Sequence, residues 1–433
     1  MKNPFVKSNP EAKSLPPIPP LIMKNTIFFA LAQALQGVGM QLAVTFSAIM
    51  IIRILGNASL AGLGGGILGI SRFAAAYPIG KLTDAYGRKP GMIIGLLMTL
   101  VGSLVLGLSI TFLSLFLFVL GISILGLGVG AVMQLRVAAA DMYPVSRRAE
   151  GLGYVLTGSV VGAFAAPFVV GFGEFFAKTS EWDAIAISWG LTPFVILPAL
   201  GFVLLVKPDP QKIAMNLSEY WTGESPVVVD SSTESDHKSS GVSTILRDKN
   251  KQVAFAFYGT AQGTMAMMMV MTPLVMNSAG HSMSAISIAV SLHVFGMFGF
   301  SVLMGKLTDR IGRKPLLGVG AIVAGIGALL VPATTEYWII TLGLFLVGLG
   351  WSGINVASTA LIVDTTDPSQ RGRAIGANDS VASIIAVITP LLGGVIVELF
   401  GLMMVGIVGC IIALIPLIIY SRLSEISPGI YKD

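Results

Sequence analysis

Among the ionisable side chains inside long apolar runs of this 433-residue chain, three lie away from the run ends: Arg72, His293 and Asp379. A group so placed must be paired, hydrated or bound to something, because burying a bare charge costs several kcal/mol. The chemistry on offer differs between them. A guanidinium grips a carboxylate or phosphate in two places at once. An imidazole exchanges a proton near neutral pH, and a carboxylate holds or releases one according to its surroundings. Arg72 precedes Gly80 by eight residues and His293 precedes Gly305 by twelve, which is about 12 Å and about 18 Å at a helical rise of about 1.5 Å per residue. Both therefore fall deep in their runs. Asp379, beside Asn378, lies nearer one end of its own. Each also has a structural reading: an Arg held by backbone carbonyls, a neutral His ring packed beside Met297, an Asp that joins two helices or answers loop cations.

Uncharged polar groups occupy other apolar runs: Gln33, Gln36, Gln41, Gln134, Gln262 and Asn355. Arg72, Gln36, Gln134, Gln262, His293 and Asn355 form the set of candidate solute contacts, and Asp379 and His293 are the candidate proton carriers. Arg136, five residues before Asp141, reads as a gate or an inter-helix salt bridge. Glu174 reads as interfacial, and the Met265 to Met271 run as packing.

The elements that must position these groups follow from composition. Hydrophobic residues make up 54% and charged residues 11%, against about 45–50% and about 25% in a soluble domain, and the mean hydropathy is +0.83. The chain reads as an all-α polytopic membrane protein. Twelve apolar runs approach the length of about 20 residues that a bilayer requires: 25–52, 58–80, 91–110, 113–140, 151–176, 184–206, 251–277, 284–304, 316–334, 337–363, 374–397 and 400–420. They divide the chain into a tail (1–24), a six-run half (25–206), a polar linker (207–250), a second six-run half (251–420) and a closing tail (421–433). Within the linker, Ser243 to Lys251 reads as a short surface helix. Of the 27 Lys and Arg residues, 23 fall on the side that holds both tails and the linker, which by the positive-inside rule is the cytoplasmic side of the cytoplasmic membrane. That bias also accounts for the net charge of +5, so nucleic acid is not expected as a partner. One Cys, three scattered His and no P-loop argue against a metal site, a cofactor and ATP-driven pumping. No nucleophile–base pair can be assembled, so an enzyme is not expected.

The two halves repeat one another. Gly80-Lys81-Leu82-Thr83-Asp84-Ala85-Tyr86-Gly87-Arg88-Lys89-Pro90 returns as Gly305-Lys306-Leu307-Thr308-Asp309-Arg310-Ile311-Gly312-Arg313-Lys314-Pro315, identical at nine of eleven positions. The first Gly of each copy lets a neighbouring helix approach, and Gly87 and Gly312 permit a tight turn. Asp84 and Asp309 meet the cations Arg88 and Arg313, and each Pro opens the next helix. Asp141 and Arg148 answer Asp364 and Arg371 later in each half, and Gln36 answers Gln262. Together with Arg310, these loop residues are expected to gate one end of the molecule.

Gly-x-Leu-x-Asp-x-x-Gly-Arg-Lys, between the second and third runs of each half, resembles the signature loop of the major facilitator superfamily of secondary transporters. The resemblance implies twelve transmembrane helices in two pseudo-symmetric six-helix bundles, each nesting two inverted three-span units, with a central site between them. It also makes Gln36 and Gln262 wall groups of that site. Departures exist: Ala85 stands where Arg310 fits the pattern better, and Ile122 stands where proton-linked drug exporters carry an Arg in the fourth span. Thr389-Pro390-Leu391-Leu392-Gly393-Gly394 echoes an antiporter motif, but in the eleventh span. The implied function is secondary active transport of a small organic solute by alternating access, coupled to a proton or counter-solute. Arg72 points to a solute with an anionic group, and a monomer in the bilayer is expected. Competing readings are an efflux antiporter of amphipathic drugs, a lipid flippase and a non-transporting membrane sensor.

Overall fold

A computed structural model of the chain describes residues 17–144, 147–221, 248–366 and 371–423. Among these, twelve stretches are helical, long and apolar enough to cross a membrane. In the first half, helices run α1 (Pro20–Leu55), α2 (Leu63–Tyr86), α3 (Arg88–Thr111), α4 (Leu115–Val132), α5 (Gln134–Asp141), α6 (Arg148–Ala177) and α7 (Ala184–Leu205). Two short helices, α8 (Pro210–Met215) and α9 (Leu217–Tyr220), begin the linker. The second half holds α10 (Lys249–Ser278), α11 (Met283–Phe298), α12 (Ser301–Ile311), α13 (Arg313–Leu330), α14 (Tyr337–Asp364), α15 (Arg371–Phe400) and α16 (Leu402–Leu414).

Local chemistry sets many of these bounds. Pro20 sits at the first position of α1, where its missing N–H costs nothing, so the helix starts ahead of the expected residue 25. Asp183, Asp248 and Ser282 cap α7, α10 and α11 by accepting a backbone N–H. Asp248 starts α10 as one continuous helix. The expected separate surface helix therefore does not form over 248–251, and its remaining residues 243–247 lie outside the described residues. The fourth span breaks at Met133 between α4 and α5, and the eighth at Gly299 and Phe300 between α11 and α12. The last span ends in a 3₁₀ turn, Ile415–Arg422.

The cores show which end of the molecule is shut. At the end away from the signature loops, one apolar cluster joins the halves, with Val38, Phe46 and Trp189 against Met267, Met271 and Ile286. Nearer the loops it splits into two separate clusters, one around Tyr143 and Trp221 and one around Phe257 and Leu361. The Met run of the seventh span packs inside: Met267, Met268 and Met271 are completely buried. Where α2 crosses α15 at the shut end, the helices touch through Gly62, on which a Cβ would overlap the Pro390 carbonyl oxygen. Gly69 continues the contact, with Val387 2.8 Å from a would-be Cβ, and Gly65 meets Pro390 at 3.5 Å and Val270 of α10 at 2.8 Å. Gly80 and Gly305 behave otherwise than expected. Nothing among the described residues lies within 4 Å of a Cβ built on either, at the end where the apolar core divides into two clusters.

Candidate functional site

The signature loops build the same device twice. Gly87 and Gly312 take φ of +97° and +95° between consecutive helices, a region that favours glycine. The turn throws the next residue, Arg88 or Arg313, towards the end of the fourth or tenth span. Arg88 Nε donates to Asp141 Oδ2 at 2.8 Å, and Arg313 Nε donates to Asp364 Oδ2 at 2.8 Å. Lys89 Nζ then binds the Leu204 and Val206 carbonyls, at 3.0 and 2.8 Å. Lys314 Nζ binds the Leu423 carbonyl at 2.9 Å. Each loop thus ties its third span to the end of the fourth and sixth spans of its own half. Asp209 adds a cap in the first half, accepting from the Arg88 and Lys89 amides at 3.0 and 3.1 Å. Arg310 is exposed. The side chains of Asp84, Asp309, Gln134, Arg148 and Arg371 lie outside the described residues.

Opposite the loops, Glu174 crosses between halves. Its carboxylate accepts from the Met283 amide at 2.7 Å, the Ser284 amide at 3.3 Å and the Ser284 hydroxyl, which satisfies the first turn of α11. Glu174 is therefore more than an interfacial group. Deeper in, Ser291 Oγ donates across the same seam to the Ala163 carbonyl at 2.6 Å, and Gln41 Nε2 donates to Ser291 at 3.4 Å.

The candidate solute groups separate into three neighbourhoods. Arg72 donates from Nη2 to Met133 Sδ at 3.5 Å, not to Asp379. Its Nε is buried without an acceptor, as is the Nε of Arg136. Arg136 makes no salt bridge among the described residues, contrary to the inter-helix salt bridge read for it, and Asp141, five residues on, is held by Arg88. The Arg72 and Arg136 charges instead lie close enough to repel one another. Gln36 is buried on α1 with Nε2 unpartnered, and Gln33 donates to Ser159 Oγ at 3.1 Å.

The second neighbourhood belongs to α10, α14 and α15. Trp351 Nε1 donates to Gln262 Oε1, and the Tyr258 hydroxyl interacts with the Asp379 carboxylate. Asn355 is half-buried one turn beyond Trp351, and Phe298 meets the Trp351 ring edge-on at 5.8 Å. Asp379 is exposed at the open end. Tyr258 and Trp351 were missed in the sequence, although each precedes a chosen polar residue by four, the spacing that shares a helix face.

His293 stands alone in the third. It is completely buried between α11 and α14, with Nδ1 2.7 Å from the Leu344 carbonyl and Nε2 unpartnered. Arg72 and His293 are therefore not brought together.

Comparison with known proteins fits this architecture. The sequence profile of the Major Facilitator Superfamily matches residues 29–249 and 253–429. The chain is 27% identical to the uncharacterized MFS-type transporter YdeG of Bacillus subtilis (strain 168), covering 96% of this chain and 95% of that one. It is 22% identical to the riboflavin transporter RfnT of Brucella anthropi, over 82% and 84% of the two chains. Among solved structures, the inward-open conformation of the xylose transporter XylE from E. coli superposes with a TM-score of 0.70 at 16% identity, covering 94% of this chain and 98% of that one. Twelve spans in two matching halves, twin signature loops and a profile match along nearly the whole chain place this protein in the Major Facilitator Superfamily, as a membrane transporter and not an enzyme.

Proposed function

We propose that this transporter moves a small organic solute bearing an anionic group, by alternating access and with a proton as coupling ion. The observation that carries the reading is Arg72, a guanidinium inside the second span whose Nε has no acceptor and which faces no carboxylate among the described residues. Such a cation is costly while empty and is satisfied by an oxyanion. A relative named for riboflavin supports an organic solute. Asp379 supports the proton role, since it is exposed at the open end beside the Tyr258 hydroxyl and can reach water there. The test is a thermal-shift screen of the purified chain with carboxylates, phosphates and their neutral analogues, followed by flux in vesicles with and without an imposed pH gradient. Stabilisation by anions and gradient-driven uptake are expected. Stabilisation by neutral or cationic amphiphiles alone would replace this reading with drug efflux.

Both tails and the 207–250 linker are assigned to the cytoplasmic side, on the distribution of Lys and Arg. Protease added outside spheroplasts should spare the linker, and protease added to inverted vesicles should cut it. Cleavage from outside would reverse the orientation of the whole molecule.

A further inference from the structure

We infer that Arg136 is the second prong of an oxyanion site whose first prong is Arg72, and that the solute's anionic end carries two negative charges. A phosphate monoester or a pair of adjacent carboxylates has that chemistry. The inference rests on the anionic-solute reading above and narrows it to a dianion.

Three observations converge. First, the two arginines flank one residue. Arg72 Nη2 meets the Met133 sulfur at 3.5 Å, and Arg136 follows that same Met133 by three positions, its amide bonded to the Met133 carbonyl at 3.2 Å. The break between α4 and α5 at Met133 starts a new helix there and sets the direction in which Arg136 leaves the backbone. Second, neither guanidinium has a carboxylate partner among the described residues. Both Nε atoms are sealed from solvent without an acceptor, and Asp141, one turn beyond Arg136, is held by Arg88. Third, a further donor stands on an adjoining helix. Gln36 Nε2 is buried and unpartnered on α1, which packs against α2, α4 and α5.

Two half-buried like charges close enough to interact repel one another, and a low-dielectric surrounding strengthens the repulsion. A structural arginine would be held by a carbonyl or carboxylate, and neither is present at these Nε atoms. A monoanion neutralises one of the pair and leaves the other. A dianion answers both, with fork-like donors on two sides.

The test uses the purified full chain in low-chloride, sulfate-free buffer, with phenyl phosphate, phthalate and benzoate as probes in calorimetry. The wild type should bind a dianionic probe at least about tenfold more tightly than benzoate, and Arg136→Met should shrink that preference to about threefold or less. Arg136→Met should also melt at a higher temperature than wild type, since it replaces a half-buried cation whose Nε has no acceptor with an apolar side chain of similar length. Arg72→Gln should weaken all three probes. A dianion preference retained in Arg136→Met, or a lower melting temperature for that variant, makes Arg136 structural and overturns the inference while the anionic reading stands. Probes that bind Arg72→Gln as well as wild type, or that do not bind the wild type at all, overturn both.

Discussion

Arg72→Lys is expected to lower solute affinity at least about tenfold, or about 1.4 kcal/mol, with folding and membrane insertion intact. Lysine keeps the charge but loses the planar fork, so it meets a carboxylate or phosphate as a single point. The surroundings of Arg72 make this a test of binding and not of packing. Its only hydrogen-bond partner among the described residues is the Met133 thioether at 3.5 Å, a weak acceptor, and its Nε has none. Little native structure is therefore lost with the side chain. Arg72→Ala should abolish measurable binding and leave the melting temperature of the empty protein unchanged or raised. The measurements are calorimetry with the anion found in the ligand screen, vesicle flux, and a melting curve on protein that runs as one species. Normal transport by both variants, or failure of Arg72→Ala to fold, would make Arg72 structural and remove the argument for an anion.

A second large effect is expected from Gly62→Ala, at the shut end and remote from Arg72. Gly62 has a φ of −74°, which alanine adopts freely, so only space opposes the change. That space is missing in this state: the added methyl would overlap the Pro390 carbonyl oxygen on α15. Real Cβ atoms essentially never come closer than 3.0 Å to such a neighbour, so α2 and α15 must move apart where the halves meet. Overpacking of this kind costs about 1–3 kcal/mol. Because the clash lies between halves, the cost falls on the loop-end-open state alone, and the balance should move about 5- to 150-fold towards the state open at the other end. A cysteine at Tyr154, exposed on the open side, should then react more slowly with a thiol reagent in a background lacking Cys410. Gly158→Ala is the control, since its methyl would strike the Ala30 carbonyl within the first half. It should lower the melting temperature instead. Unchanged labelling in Gly62→Ala would show that the crossing does not govern the conformational balance.

Much of this molecule could be read without coordinates. The twelve spans, the paired loops and the membrane class are properties of short windows. A chain in lipid must satisfy its backbone hydrogen bonds within each segment, so every span announces itself through its own composition. The loops were legible for a similar reason. Gly87 and Gly312 are needed wherever the backbone turns through positive φ, and Arg88, Asp141, Arg313 and Asp364 were all singled out before their pairing was visible. Even so, the contact role assigned to Gly80 and Gly305 failed here, because it depends on which end of the molecule is open.

What the tertiary structure alone decided is the company each polar group keeps. Arg72 reaches across 61 residues of sequence to the sulfur of Met133, three positions before Arg136. His293, as deep in its span as Arg72, turns to the Leu344 carbonyl. Glu174, read as interfacial, binds the start of α11 in the other half. The physical reason is that these helices are apolar on nearly every face, so hydropathy shows that a segment spans but not how it is rotated about its axis. Rotation is settled by close packing between helices, at places such as Gly62 against Pro390, and it determines which buried donors share a site. Span and charge are local and were legible in the sequence; the neighbours of Arg72 are not local and required the assembled halves.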